Sequence, residues 1–566
     1  MTGAAFAWAV SWAGAPAAAG QGIGLPPRQD RPWPPCGRSR PWRVLACGVR
    51  AAGASFPFTS FREGQREALD AAREAFAAGV RAVVIEAPTG AGKSALAVAL
   101  AHEARSAFVL TGQKVLQDQY HRDFATLAVL KGRGTYPCEV VTHATAAFAP
   151  CLMGHVFPAC DACAYYRARD EALAAPVALM NYAAFLHQVN DAGGFGPREL
   201  LVLDEAHGAE THLMQYLHVR LSDALLERAG IDERLPAFLD PAFAIDVADA
   251  MLPRLVARRA ELDAEIGGTH HARQADLAKL QTLQWLDGQV RRLRWLSDTF
   301  DAGVDWVCEH GHEAGSAWLS WKPVDVAGLA EALLFGHAER VLMLTATVLD
   351  ERTFLQGLGL ECEEAAVIRV PSTFPAERRP LVLRPVARLT RHHQARELPR
   401  LIDEVAAIMD DHQTEKGVIH THAYRIALAL QAGLPEHHRR RIVTHAGADG
   451  RQAALEAHLT RPEPTVLLTP SMTEGLDLAG DLARWQVICK LPYPYLGDPQ
   501  VAARRARDPH WYAWRTSQAL VQAYGRVVRS RDDHAVTYLL DADAPAFLRR
   551  ERSRLPVWFL EALRED

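Results

Sequence analysis

A glycine-containing loop between an apolar strand and a helix constrains this 566-residue chain more than any other feature. It departs from the phosphate-loop pattern G-x-x-x-x-G-K-S only at its first position, where alanine replaces glycine. The glycines let backbone N–H groups point at phosphate oxygens, while the lysine reaches the β- and γ-phosphates and the serine binds Mg²⁺. The loop therefore predicts an ATP site that uses the positive end of the following helix. Its residues are Ala87, Pro88, Thr89, Gly90, Ala91, Gly92, Lys93 and Ser94.

Strands and helices alternate around this loop. Residues 65–78 have helical spacing, and the segments 81–86 and 107–110 have the apolar character of short strands on either side of a helix at 95–105. This order predicts a parallel sheet with helices on both faces. A chain of this length divides into domains, and a second α/β unit is predicted after Pro371. Its candidate strands are Gly417–Thr421, Ile442–Thr444, Thr465–Leu468, Gln486–Lys490 and Ala535–Leu540.

Two acidic residues end an apolar run in the first unit. Asp204 and Glu205 follow Leu200–Leu203, which has the character of a buried parallel strand. A carboxylate at this place holds Mg²⁺ through water, and the next one polarises the attacking water. A surface acidic pair is the alternative, and the fully apolar run before it disfavours that interpretation.

Two arginines in the second unit complete the predicted ATP site. Arg526 and Arg529 are three residues apart and are predicted to share one face of a helix. Two guanidinium groups aimed at a γ-phosphate stabilise the charge of the transition state. The ATP site is therefore expected between the two units, although a solvated arginine face has the same spacing.

Four of the nine cysteines lie within one short window, between the phosphate loop and the acidic pair. Cys138, Cys151, Cys160 and Cys163 offer thiolates that suit either zinc or an iron–sulfur cluster. Only Cys160 and Cys163 form a close pair, whereas zinc sites usually contain two such pairs. The wide spacing favours a [4Fe–4S] cluster held by an irregular segment. Zinc stays open, with His143 and His155 as further candidate ligands.

Composition limits the remaining possibilities. The net charge is −5, so any nucleic-acid site is a local patch or groove and not a global basic field. No apolar stretch reaches the length of a membrane span, so no membrane association is expected. We interpret residues 1–54 as a disordered extension, or as sequence upstream of the natural start, because residues 21–50 are rich in proline, arginine and glycine. The apolar run Ala4–Gly20 resembles a signal peptide, but no basic region precedes it, which disfavours that alternative. Residues 208–330 are predicted to be mostly helical without strand alternation, and the tail from Ala546 is predicted to be an outer helix.

The motifs together resemble the XPD/DinG branch of superfamily-two helicases, also called Rad3-related. Phe61–Gln65 resembles the adenine-reading segment of that family, with Gln65 as the reader. Gln522 begins the segment that resembles its arginine motif. Gly475 and Asp477 lie in a segment that resembles another nucleotide-binding motif. Further segments that resemble family motifs are Thr111–Gln113, Asn181–Tyr182, Thr345–Thr347, Thr421, Thr473–Asp477 and Leu491–Pro494.

The resemblance implies a fold of two RecA-like parallel-sheet motor domains with two insertions. It implies ATP-driven 5′→3′ translocation on single-stranded DNA, unwinding of forked DNA at an iron–sulfur domain, and a strand that passes under a helical arch. The expected cofactors are ATP, Mg²⁺ and a [4Fe–4S] cluster, and we expect a cytoplasmic, nucleoid-associated monomer. We expect residues 1–54 to form an extension, residues 131–176 the cluster insertion and residues 208–330 the arch. The first motor domain is expected to comprise residues 55–130, 177–207 and 331–370, and the second motor domain residues 371–566.

Two other functions stay open from the residues alone. One is an ATP-dependent remodeller or RNA helicase that carries zinc in its insertion. The other is a nucleotide-switched DNA-binding module without turnover, which the presence of both Glu205 and Arg529 disfavours. Protein partners are not predicted.

Overall fold

The computed structural model describes residues 56–149, 151, 158–236, 243–267, 276–390, 392–445, 447, 450–470 and 478–565. The predicted extension 1–54 lies outside these residues, and so do His155, Gly475 and Asp477. The described strands are β1 (Ala82–Glu86), β2 (Ala107–Thr111), β3 (Ala128–Val129), β4 (Val177–Asn181), β5 (Arg198–Asp204), β6 (Val219–Ser222), β7 (Trp306–Glu313), β8 (Ser316–Pro323), β9 (Ala338–Thr345), β10 (Ala365–Arg369), β11 (Leu381–Ala387), β12 (Gly417–His420), β13 (Ile442–Thr444), β14 (Val466–Thr469), β15 (Trp485–Ile488), β16 (Val536–Asp541) and β17 (Leu563–Glu565).

Helices connect most of these strands. They are α1 (Gln65–Ala77), α2 (Lys93–Glu103), α3 (Lys114–Asp123), α4 (Ala164–Ala174), α5 (Tyr182–His187), α6 (Ala209–Leu217), α7 (Asp223–Arg228), α8 (Ala244–Gly267), α9 (Asp276–Asp301), α10 (Ala330–Leu333), α11 (Glu351–Gly357), α12 (Gln394–Asp411), α13 (Tyr424–Gly433), α14 (Glu436–Arg439), α15 (Arg451–Thr460), α16 (Pro499–Arg507), α17 (Pro509–Tyr524), α18 (Ala544–Glu551) and α19 (Val557–Glu561). Among these helices none combines the length and the apolar character that crossing a bilayer requires.

Two parallel sheets of seven strands form the frame of the molecule. The first has the order β10-β1-β9-β5-β2-β4-β3 and the second the order β13-β14-β12-β15-β16-β11-β17. All strand pairs within both sheets are parallel. The predicted fold class, two RecA-like parallel-sheet motor domains, is confirmed.

Alternate residues of each strand bury on opposite faces of the sheet. In β1, Val83 and Ile85 pack with Leu69 of α1 and Leu96 of α2, whereas Val84 belongs to the cluster on the other face. Helices cover both faces, so the strands are apolar throughout and do not alternate. This is why runs such as that of β5 were recognisable in the sequence.

The segment 208–330 contains an antiparallel sheet, so the prediction that it lacks strands is wrong. Strands β7 and β8 form a hairpin, and β6 pairs with β8. The turn uses Ala314 and Gly315 with φ of 50° and 81°, and alanine at such a position gives no turn signal in the sequence. Helices α8 and α9 pack on this sheet in a core of their own around Trp321.

Two other segments are more ordered than their sequences indicated. Residues 131–176, predicted to be irregular, contain helix α4, whose Tyr165 and Ala172 pack in the core of the first sheet. The tail has the predicted helix, α18, but it continues into α19 and the strand β17. That strand pairs with β11 and extends the second sheet, so the prediction of an outer helix alone is wrong.

Candidate active site

The phosphate loop joins β1 to α2 at the carboxyl edge of the first sheet. Gly90 and Gly92 have φ of 83° and 81°, a backbone region that favours glycine. A Cβ at Gly90 would lie 2.6 Å from the carbonyl oxygen of Arg529, and a Cβ at Gly92 would lie 2.2 Å from Nε2 of Gln65. Both positions therefore require glycine for the turn and for the close approach of two distant segments.

Gln65 is buried against the back of this loop. Its Nε2 donates to the carbonyl oxygens of Ala91 at 3.0 Å and Gly92 at 3.1 Å, and its Oε1 accepts from the backbone N–H of Arg62 at 2.7 Å. Arg62 also donates from its guanidinium to the carbonyl of Gly90. Gln65 thus braces the loop in this structure, and its contact with adenine stays a prediction.

Lys93, Asp204 and Glu205 meet beside the loop. The Lys93 side chain is only 8% exposed, donates from Nζ to the carbonyl of Ala87 at 3.3 Å, and lies 3.9 Å from Oε1 of Glu205. Asp204 ends β5, and its Oδ1 accepts from the Glu205 N–H at 3.0 Å. Glu205 has a φ of 50°, so the chain turns directly after the strand. One ammonium and two carboxylates therefore form a single charged cluster.

The two carboxylates titrate differently because their surroundings differ. Burial opposes ionisation of Glu205, but the charge of Lys93, a hydrogen bond from His207, and the charges of His207 and Arg526 outweigh burial and lower its pKa. Burial and the charge of Glu205 together raise the pKa of Asp204 to about 6. A nearby cation stabilises the ionised form of a buried carboxylate that lies beside another anion. The cluster is therefore suited to bind a cation.

Tyr120 on α3 is a site residue that the sequence reasoning missed. Its hydroxyl donates to Oδ2 of Asp204 at 2.8 Å, and the Ser94 side chain is near enough to lower the pKa of that hydroxyl. Burial and the charge of Asp204 raise the pKa of Tyr120 well above its usual value, which keeps the hydroxyl protonated. An aromatic residue on the buried face of a helix ordinarily indicates core packing, so the sequence carried no signal for this contact.

Arg526 and Arg529 lie beyond the end of α17, so the prediction that they share a helix face is wrong. The helix ends at Tyr524, and the chain leaves it at Gly525 because the two valines between the arginines turn into the core of the second sheet. The arginines nevertheless reach the phosphate loop. The carbonyl of Arg529 lies against Gly90, and the charge of Arg526 acts on Glu205 in the first sheet.

A line of polar contacts runs from the acidic pair to α17. Nδ1 of His207 lies 3.3 Å from Oε2 of Glu205 and 3.2 Å from Oγ1 of Thr345. The Thr345 hydroxyl oxygen accepts from the N–H of Thr347 at 3.2 Å, and the Thr347 hydroxyl accepts from Nε2 of Gln522 at 3.0 Å. The two sheets are therefore connected through the segment after β9.

The same segment anchors α17 by two further bonds. Nε2 of Gln518 donates to the carbonyl of Thr347 at 3.0 Å, and Nε1 of Trp514 donates to the carbonyl of Val348 at 2.8 Å. Because donors from successive turns of one helix hold one loop, a shift of α17 would be transmitted to the acidic pair.

Three other predicted segments also lie at carboxyl ends of strands. Thr111–Gln113 begins at the last residue of β2, Asn181–Tyr182 begins at the last residue of β4, and Thr421 directly follows β12. The Asn181 side chain caps α5, and the Tyr182 hydroxyl donates to the carbonyl of Asp204 at 3.2 Å. Ligands of parallel α/β sheets bind at this edge. Gly475 and Asp477 lie outside the described residues.

Cys138, Cys151, Cys160 and Cys163 line one small cavity of about 10 Å³. The N–H of Val141 donates to Sγ of Cys138 at 3.4 Å, and the Arg133 guanidinium donates to Sγ of Cys151 at 3.8 Å. Within the described residues no three of these sulfurs lie within 4.8 Å of one another. The four cysteines therefore surround one small cavity, and the ligand that they would hold stays a prediction.

A larger cavity, about 520 Å³, opens between α6, α17 and the loop after β15. Trp511, Arg515 and Lys322 contribute an aromatic ring and two cations to its wall, and Glu210 and Asp498 contribute carboxylates. Lys322 pairs with Asp498 at 3.0 Å. The cavity therefore has a mixed wall, in which Trp511 and Arg515 of α17 and Lys322 of β8 form the aromatic and cationic part.

Comparisons with known proteins agree with this arrangement. Residues 58–224 match the family model described as the res subunit of type III restriction enzymes, and residues 407–562 match the helicase C-terminal domain. The ATP-dependent DNA helicase YoaA of Escherichia coli is 24% identical over 85% of this chain and 91% of its own length. The human regulator of telomere elongation helicase 1 is 31% identical, but over only 15% of this chain and 8% of its own length.

Solved structures with similar folds cover almost the whole chain. A structure named XPD helicase has a TM-score of 0.59 at 15% identity and covers 90% of this chain and 100% of its own. That of S. tokodaii Xpd4 has a TM-score of 0.54 at 14% identity and covers 89% of this chain and 100% of its own. These likenesses concern the fold.

Proposed function

Since this chain belongs to the XPD/DinG-like branch of the superfamily-two helicases, we propose that it translocates 5′→3′ on single-stranded DNA and separates duplex DNA. In this proposal it is an ATP-dependent DNA helicase that hydrolyses ATP between its two parallel sheets. The proposed motor domains are residues 55–130, 177–207 and 331–370, and residues 371–566, with 131–176 as cluster insertion and 208–330 as arch.

The proposed catalytic step is an in-line displacement at the γ-phosphate. The loop Ala87–Ser94 and Lys93 bind the phosphates, and Arg526 and Arg529 add positive charge from the second sheet. Glu205 orients the attacking water, for which its lowered pKa is suitable because it stays a carboxylate. A loose transition state at phosphorus needs positioning more than a strong base.

Ser94 and Asp204 are the proposed ligands of Mg²⁺. Asp204 accepts from the Tyr120 hydroxyl at 2.8 Å, and Ser94 acts on the pKa of the same hydroxyl, so both side chains lie near Tyr120. Hydroxyl and carboxylate oxygens are ligands that Mg²⁺ prefers. When bound, the ion would neutralise charge on the phosphate oxygens, while Tyr120 keeps the Asp204 carboxylate oriented.

The polar contacts that run from Glu205 through the segment after β9 to Gln522 are proposed to couple ATP hydrolysis to movement. Loss of the γ-phosphate removes the partner of Arg526 and Arg529, which lie just beyond α17. Because α17 holds Thr347 from two of its turns, its displacement would change the distance between the sheets. Alternating closure and opening would then advance the strand.

The large cavity beside α17 is the proposed route of the strand. Aromatic rings stack on bases, and cations contact phosphates, without regard to sequence. Trp511, Arg515 and Lys322 offer these groups. The low net charge of the chain, −5, is consistent with a confined site of this kind.

The four cysteines are proposed to hold a [4Fe–4S] cluster with a structural role. Sulfurs around a tetrahedral zinc ion stand about 3.8 Å apart, given Zn–S bonds of about 2.3 Å. Among the described residues no three of the four sulfurs lie within 4.8 Å of one another, so their spacing does not match that around one tetrahedral ion. Donors to Cys138 and Cys151 would stabilise thiolate charge. When bound, the cluster would rigidify the insertion at which the duplex separates.

The observation that carries the proposal is the contact between the phosphate loop and the chain after α17. The backbone carbonyl of Arg529 lies against Gly90, and the charge of Arg526 acts on Glu205, so groups of both sheets meet at the phosphate loop. An enzyme built in this way depends on domain closure for turnover.

Single-stranded DNA is expected to stimulate ATP hydrolysis strongly, whereas RNA of the same length is expected to have little effect. The steady-state rate of phosphate release at saturating nucleic acid measures this. Glu205→Gln should bind ATP without turnover, and Glu74→Gln on the exposed side of α1 should behave as the unmodified chain. Equal stimulation by RNA would favour a remodeller or RNA helicase. Turnover near zero with saturating DNA would favour a nucleotide-switched binding module.

A further inference from the structure

Two histidines and an aspartate converge on the second sheet, outside the ATP site. His437 and His438 lie on α14, and Asp410 lies near the end of α12. One ligand atom from each residue lies within 4.8 Å of the other two. Successive residues of a helix do not ordinarily face each other, yet the rings of His437 and His438 have centroids only 4.0 Å apart.

His438 is the most informative member of this group. Its side chain is 1% exposed, and neither ring nitrogen has a hydrogen-bond partner. A buried polar atom without a partner is costly and calls for an explanation. Nε2 of His438 lies 3.2 Å from Oδ1 of Asp410, close enough for an ion pair but without the geometry of a hydrogen bond. The two atoms are therefore arranged as two ligands that face a common point.

The distances fit a tetrahedral metal ion. Two ligand atoms on such an ion stand about 3.3 Å apart when the metal–ligand bonds are about 2.0–2.1 Å. Oδ1 of Asp410 lies 3.2 Å from Nε2 of His438 and 3.6 Å from Nε2 of His437. Imidazole with one carboxylate suits zinc and its neighbours among the transition metals.

One cation competes for Asp410. Arg441 is near enough for its charge to interact with the carboxylate. Its guanidinium, however, donates to the backbone carbonyls of Met409, His412 and Glu415. Arg441 thus fixes the end of α12 and leaves the Asp410 carboxylate available to a metal.

We propose that Asp410, His437 and His438 form a binding site for a divalent transition-metal cation such as Zn²⁺. Three protein ligands leave a fourth position for water. The bound ion would join the end of α12 to the short helix that leads into the edge strand β13. This site goes beyond the proposed helicase activity and shares no residue with it.

The place of the site in the fold argues for a structural role. Asp410 precedes β12, and the histidines precede β13, so the site lies at the amino edge of the second sheet. The phosphate loop and the acidic pair lie at carboxyl edges, where α/β sheets bind their substrates. Metal binding is therefore expected to stabilise the second sheet and to leave ATP hydrolysis unchanged.

Zinc binding by the full chain tests this inference. The variants are His437→Ala and Asp410→Asn, which change exposed side chains, and His121→Ala, which removes an exposed histidine of α3 as a control. Bound zinc is measured by equilibrium dialysis against Zn²⁺, and the thermal midpoint is measured with and without Zn²⁺. DNA-stimulated ATPase serves as the check on folding.

The unmodified chain and His121→Ala are expected to bind one more zinc ion per chain than either site variant, and to show a higher midpoint with Zn²⁺. His437→Ala and Asp410→Asn should bind that ion at least tenfold more weakly while keeping their ATPase activity. All four cysteines are present in every protein, so zinc at the cysteines cancels in the comparison. Equal zinc content and equal midpoints in all four proteins would overturn the proposal.

Discussion

Replacing Lys93 with alanine is expected to lower DNA-stimulated ATP hydrolysis by about 10²–10³-fold, the loss typical when one preorganised charge-stabilising group is removed. The Lys93 ammonium is buried beside the phosphate loop and lies 3.9 Å from Glu205. Its removal deprives the β- and γ-phosphates of a cation and leaves Glu205 without the charge that lowers its pKa most strongly. Unwinding should disappear with hydrolysis. Phosphate release and strand displacement measure the two losses.

The control for this variant is Lys279→Ala, which removes an exposed lysine of α9 that pairs with Glu265. It should hydrolyse ATP and unwind DNA as the unmodified chain does. Thermal unfolding of both variants checks that the loss at Lys93 is not a loss of folding. Normal unwinding by Lys93→Ala would show that the phosphate loop does not drive this chain.

Replacing Cys160 with serine is expected to remove iron and to reduce unwinding by about tenfold or more, since even loss of an outer partner of a metal site costs about 10–100-fold. Cys160 shares a cavity with the three other cysteines, and this cavity is remote in sequence from Lys93 and Glu205. Hydrolysis of ATP on single-stranded DNA should therefore fall much less than unwinding. Iron analysis of anaerobically purified protein should give about four iron atoms per chain and a brown colour.

Cys308→Ser is the matched control for the cluster. Cys308 lies on β7, outside the cavity that the four cysteines line, and burial raises the pKa of its thiol to about 11. Its replacement should leave iron content and unwinding unchanged. Colourless protein with one zinc ion per chain that is lost in Cys160→Ser would contradict the cluster and support the zinc alternative.

The two parallel sheets could be predicted because their strands are buried on both faces. Runs such as Leu200–Leu203 are apolar at every position and end in a functional residue. The hairpin of β7 and β8 could not be predicted, because its Ala314–Gly315 turn contains no asparagine or aspartate that would indicate a turn. Strand β17 contains two charged residues and exists only through its pairing with β11, a contact distant in sequence.

The residues of the candidate site also fall into some that the sequence predicts and some that it does not. Lys93, Asp204 and Glu205 follow from their position after apolar strands, which is a local property. The placement of Arg526 and Arg529 beyond α17 depends on Gly525 and on valines that bury in the second sheet. Contacts that depend on packing between distant segments, such as those of Tyr120, have no periodic signal in the sequence.

The measurement that tests the central claim most directly is unwinding of DNA with a single-stranded tail of defined polarity. The full chain, with ATP and Mg²⁺, is given a duplex with either a 5′ or a 3′ tail of equal length and sequence, with Glu205→Gln as the inactive reference. Release of the displaced strand is expected only from the substrate with the 5′ tail and only with ATP. Release from the 3′-tailed substrate alone, or from neither while ATP is hydrolysed, would contradict the assignment of this chain as a 5′→3′ DNA helicase.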